Sequence, residues 1–168
     1  VFVLECLINE LIIVLDKEIE IYNDILRISK QKTDIIVEGN VSELEKIVQT
    51  EKSMVLSVSK TENEREILIY KISKALKAET KDVTISYLID ITNGELSNKL
   101  KSRKERLKDI LNDLGNVNEL NSKLIKSSLE YINFSLNVFA NVGNEDNNYG
   151  DGGEKFQAKA TNRYDFKV

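Results

Sequence analysis

The stretch NVSELEKIVQTEKSMVLSVSKTENEREILIYKISKAL, Asn40 to Leu76, decides the fold. Leu44, Val48, Glu51, Val55, Val58, Glu62, Arg65, Ile69, Ile72 and Leu76 follow one another in unbroken alternating steps of four and three. That is the period of helices wound into a left-handed supercoil. At 1.5 Å per residue the stretch makes a rod of about 50 Å. Asn40 stands where a side-chain oxygen caps a helix, and Glu43, three residues on, completes a capping box with Asn in the Ser/Thr place. Glu51, Glu62 and Arg65 interrupt the stripe with charge. Glu62 and Arg65 are spaced for an i,i+3 ion pair worth about 0.2–0.5 kcal/mol if exposed.

The flanks read the same way. Upstream, Leu4, Leu7, Leu11, Val14, Ile21, Ile25, Ile28 and Ile35 predict a first helix from about Val3 to Val37, stopped by Gly39. Downstream, Thr80 to Ile91 is expected to form a short helix capped near Asp82 and closed by Asn93 and Gly94. VTISYLIDI is rich in β-branched residues, but no second strand lies nearby to pair with it. A last long helix is expected from about Glu95 to Val142, where Leu96, Leu100, Leu107, Ile110, Leu114 and Val117 share a direction, with a possible bend at Gly115 and Asn116. The chain contains no proline, the residue that costs about 3 kcal/mol inside a helix, so long helices are permitted. From Gly143 the segment becomes rich in Asn and Gly, which favours turns. The expected fold is all-α: an antiparallel bundle of long, coiled-coil-like helices over residues 1–142, with a short connecting helix. Residues 143–168 are expected to form an irregular, flexible C-terminal tail.

Composition narrows the function. A net charge of −4 argues against nucleic acid, which needs a concentrated basic face. The one basic run, Lys99 to Lys108, is broken by Glu105 and reads as a solvated helix face. The single cysteine, Cys6, excludes an internal disulfide framework and is expected in the core. The apolar opening VFVLECLINELIIVLD is interrupted by Glu5, Asn9, Glu10 and Asp16 at helical spacing, so a bundle helix and a cytoplasmic protein without membrane insertion are expected. With no histidine, one cysteine and no phosphate-loop, nucleophile-elbow or zinc-helix string, catalysis has no support, and neither a cofactor nor a metal site is expected.

Binding is better supported. In NSKLIKSSLEYINFSLNVF, Asn121 to Phe139, Ile125, Leu129, Ile132, Leu136 and Phe139 fall in one helical sector, and Leu124, Tyr131, Phe134 and Val138 in a second. Together they span an arc of about 220°, against the ~100° that a surface helix buries. The first sector continues the direction of Leu96 to Val117 and is expected to complete the core. Leu124, Tyr131, Phe134 and Val138 are then left either for the tail or the first helix to fold over, or for another molecule, with Tyr131 and Phe134 at the centre. An alternative is a homo-oligomeric structural coiled coil with no client polypeptide, its seam the heptad from Leu44 to Leu76. A homodimer could also form to hide the apolar arc.

The long first helix, EKSMVLSV and ENER of the second, the segment from Asn121 to Leu136 and the terminal YGDGG and RYDFK together resemble the FlgN family of flagellar export chaperones. The resemblance implies a cytoplasmic helical chaperone that binds the hook-filament junction proteins FlgK and FlgL. It places the client on the Asn121 to Phe139 helix: Asn121, Leu124, Ile125, Leu129, Tyr131, Ile132, Phe134, Leu136, Val138 and Phe139. It also implies that Tyr149, in the YG segment, contacts the export gate protein FlhA.

Overall fold

The computed structural model describes the backbone of residues 2–145 and the side chains through Ala140. The elements are α1 (Phe2–Glu38), α2 (Val41–Leu76), a 3-10 turn at Thr80–Asp82, α3 (Ile85–Ile91) and α4 (Gly94–Glu145). No strand occurs among the described residues. The chain divides into two compact units, Val1–Ser128 and Leu129–Val168, taken in turn below.

In the first unit α1 is the central helix. Its buried residues include the adjacent pairs Leu11 and Ile12, and Val14 and Leu15. Neighbours in sequence point about 100° apart, so such pairs need cover from two directions. Leu68 and Ile72 of α2, Leu88 of α3 and Leu100 of α4 join them in one core, with Leu96 and Leu107 packed against it. Ion pairs set the directions. Glu18 meets Arg65 and Lys32 meets Glu51, so α1 and α2 are antiparallel. Asp16 meets Arg103, and Thr33 meets Asn121, so α1 and α4 run parallel. α2 brings the chain back to the end where α1 began, the short α3 connection turns it there, and α4 then runs antiparallel to α2 only.

The turns follow backbone chemistry. Gly39 adopts φ 68°, its N–H binds Ile36 O and the N–H of Asn40 binds Ile35 O, closing α1 with a Schellman motif. Asn40 Oδ1 accepts from the N–H of Glu43 at 3.2 Å, as expected of a cap. The return bond of the capping box does not form, because the Asn40 N–H is already committed to Ile35 and the Glu43 carboxylate holds Lys46 at 2.6 Å. The end of α2 repeats the Schellman pattern without a glycine: Lys77 sits at φ 56°, ψ 35°, its N–H bound to Lys74 O and that of Ala78 to Ser73 O.

Several expectations need correction. Of the expected α2 stripe every residue but Val55 is covered, and Ile72 lies in the core with Ile69 and Leu76 packed against it, but α2 buries a wider face than one stripe, since Ile47, Met54, Thr61 and Leu68 are covered as well. Val55 is left exposed, and Thr61 takes a buried place. Arg65 does not bridge to Glu62; its Nε donates to Glu18 Oε1 of α1 at 2.9 Å, and the Glu18 side chain is almost wholly buried. Cys6 is exposed, since Leu4, Leu7, Ile8 and Leu11 fill the core-facing arc of that turn. The segment after α2 forms a helix, as expected, but in two pieces. Thr84, not Asp82, caps α3, its Oγ1 accepting from the N–H of Tyr87 at 3.1 Å. α4 is continuous through Gly115 and Asn116, and it includes Gly143 to Glu145, where the tail was expected to have begun.

Candidate partner-binding face

Near the far end of the first unit, α4 is tied to α1 by a polar layer rather than by apolar packing. Asn121 lies at a seam position after Ile110, Leu114 and Val117, at steps of four, three and four, and is 2% exposed. Its Nδ2 donates to Ser29 O at 2.9 Å, and its Oδ1 accepts from Thr33 Oγ1 at 2.6 Å. Beside it Lys32 Nζ reaches both carboxylate oxygens of Glu51, at 2.6 and 2.8 Å, and Ser29 Oγ donates to the same carboxylate at 3.3 Å. Every buried polar atom here has its partner, which a low-dielectric interior requires. The layer fixes the register of three helices at one level.

The same layer changes the reading of the apolar segment. Asn121, expected as a client contact, is instead a buried tie between α4 and α1. The seam continues to Leu124, which is half-buried, while Ile125 is 38% exposed and lines an open groove with Ile25, Val55 and Ser122. The expectation that the Ile125 sector completes the core therefore fails at its first residue. The physical reason is register. Thr33 is level with Asn121, and α1 ends five residues later at Glu38, so α1 has no further turn to offer beyond about residue 126 of α4.

In the second unit the described residues belong to α4, and their large apolar side chains are all exposed. Tyr131, Phe134 and Phe139 are 72%, 66% and 74% accessible, and Leu129, Ile132, Leu136 and Val138 are also open. Both sectors are uncovered, not one. Single exposed apolar residues are ordinary on a protein surface, but seven within eleven positions of one helix are the mark of a binding surface. Tyr149, and with it the YG segment, lies outside the described residues. No helix among the described residues is long and apolar enough to cross a membrane.

A satisfied polar layer in a helical scaffold, and on α4 an uncovered apolar run, are the features of a class of proteins that hold other polypeptides. The chain matches the model of the FlgN protein family over residues 7–156 and belongs to that family, whose members are flagellar export chaperones that bind export substrates. It is similar to the uncharacterized protein YvyG of Bacillus subtilis (strain 168), 28% identical over 118 residues that cover 70% of this chain and 71% of that protein. No solved structure matches.

Sequence reasoning missed the role of Asn121. A polar residue at a core seam position is a readable signal, since such residues commonly set register, but the family resemblance takes the Asn121 to Phe139 helix whole and so counted it in the client surface.

Proposed function

We propose that this protein is a cytoplasmic chaperone that captures the C-terminal helices of FlgK- and FlgL-type hook-filament junction proteins on the Leu129 to Phe139 face and delivers them to the export gate protein FlhA. The observation that carries the reading is the uncovered run Leu129, Tyr131, Ile132, Phe134, Leu136, Val138 and Phe139 in a chain of this family. An apolar client helix would lay its own face along these residues, the helix-in-groove mode of recognition. Covering five or six such side chains contributes about 8–18 kcal/mol gross at ~1.5–3 kcal/mol each. Association and the ordering of a disordered client cost about 4–15 kcal/mol, which leaves reversible binding. A chaperone that must hand its cargo on needs that reversibility.

Leu124 and Ile125 precede the face on the same helix, and Asn121 is kept out of it by its bonds to α1. The test is calorimetry with a FlgK C-terminal peptide. Tyr131→Ala with Phe134→Ala abolishes binding while the helical signal is kept, and unchanged affinity in the double variant would sink the reading. Tyr149 is assigned the contact with FlhA. Tyr149→Ala leaves peptide binding intact and lowers secretion of the junction proteins, so normal secretion would count against that role.

A further inference from the structure

A second exposed apolar surface lies on the flank of α1 and α2. Glu10, Ile13, Val14 and Lys17 of α1 line a groove with Glu64, Ile67, Leu68 and Lys71 of α2. Val14 and Leu68 form its buried floor, while Ile13 and Ile67 remain 57% and 56% exposed. Burying isoleucine is worth about 1.5–3 kcal/mol, so two open isoleucines on one face are a standing incentive to association.

The charges around them decide the occupant. Lys17 meets Glu64 at 3.2 Å, which places these two residues at one level. Because the helices are antiparallel, Glu10 and Lys71, each one heptad away, share a second level about 10 Å along the bundle. The four charges therefore stand at the corners of a rectangle with Ile13 and Ile67 near its centre. Each helix carries one acid and one base, and so does each level. A two-fold axis running along the helices would set Glu10 against Lys71 of the second copy and Lys17 against Glu64. A two-fold axis running across the helices would set Glu10 against Lys17 of the second copy and Glu64 against Lys71. Either rotation brings opposite charges together around a shared apolar centre. Self-complementarity of one patch is what a symmetric dimer interface requires.

We propose that the α1–α2 flank around Ile13 and Ile67 is a homodimer interface, occupied by a second copy of this chain. It is separate from the face assigned to the client and does not rest on that assignment. The charges select the partner and the register, and the isoleucines supply the drive.

The test is light scattering on the full chain, which is expected to have twice the 19.2 kDa chain mass. Glu10→Lys places like charges together under either axis and weakens the dimer by about tenfold or more. Adding Lys71→Glu restores it if the axis runs along the helices, and adding Lys17→Glu restores it if the axis runs across them. Glu10, Lys17 and Lys71 are all surface positions, and circular dichroism checks that each variant keeps its helices. Restoration by either second substitution supports the proposal. A monomeric wild type overturns it, as does a dimer that survives both Glu10→Lys and Ile13→Ser with Ile67→Ser, or a loss that neither second substitution repairs.

Discussion

Replacing Asn121 with alanine separates the two roles that this residue could have. The substitution removes one hydrogen bond of 2.9 Å to Ser29 O and one of 2.6 Å from Thr33 Oγ1, both at a buried level of the bundle. Neutral hydrogen bonds contribute about 0.5–1.5 kcal/mol each, which sets a loss of about 1–3 kcal/mol. The groups left behind are not stranded. Thr33 Oγ1 also lies 3.2 Å from Ser29 O, so its one proton can turn to that carbonyl once the amide is gone. The expected cost is therefore near the middle of the range, about 2 kcal/mol, equivalent to ~4–8 °C in melting temperature for a domain of this size. Urea unfolding followed by circular dichroism measures it, and a double-mutant cycle with Thr33→Val should return a coupling of about 1 kcal/mol. Affinity for a FlgK C-terminal peptide, measured well below the melting temperature, should hardly change. Unchanged stability together with lost peptide binding would refute the structural role and return Asn121 to the client surface.

Other substitutions probe the remaining features. Lys77→Gly relieves a non-glycine residue held at φ 56° and should stabilise the protein by about 0.5–1 kcal/mol in thermal melts. Arg65→Met leaves the buried Glu18 carboxylate without its partner. It should cost about 1–3 kcal/mol, below the value for a fully buried pair because Arg65 is partly exposed, and adding Glu18→Gln should recover part of the loss in urea titrations. The Tyr22 phenol has its pKa raised above the ordinary 10.0 by burial and then by Glu62 and Glu18, with Arg65 opposing. The unfolded chain therefore gives up this proton first, and the Tyr22 contribution is full below pH 10.0 and lost as pH rises through the higher folded value. Urea midpoints of the wild type should fall faster than those of Tyr22→Phe above that pH, and parallel curves would refute the assignment.

The helices were legible because each carries its own period and punctuation. Gly39 and Asn40 mark the first turn unambiguously, and the absence of proline permits the long α4. The phase of α2 was harder to read. Met54 and Val55 are adjacent choices for one place between Glu51 and Val58, whereas Thr61 and Glu62, and Leu68 and Ile69, are covered together. Hydrophobicity favours Val55 over Met54, yet Val55 faces the open groove. Which of two neighbouring residues turns inward depends on the position of the third helix, and a single-helix period carries no record of it. The same holds for Glu18 and Arg65, whose pairing joins residues 47 positions apart. At the candidate site, the surplus of apolar residues was evident from composition. Its inner edge was not, because that depends on where α1 stops alongside α4, a property of two helices in register.

The parallel pairing of α1 with α4 also sets an order of events during synthesis. α1 can pack on α2 as soon as both have left the ribosome, but about 45 more residues must be made before Asn121 arrives. At ~5–20 residues per second that interval lasts about 2–9 s. Throughout it the side of α1 meant for α4, with Asp16 and the Ser29 carbonyl, faces solvent or whatever binds nascent chains. The hairpin of α1 and α2 is thus a waiting half-bundle, and the arrival of Leu100, Arg103, Ile110 and Asn121 ends its vulnerability to aggregation.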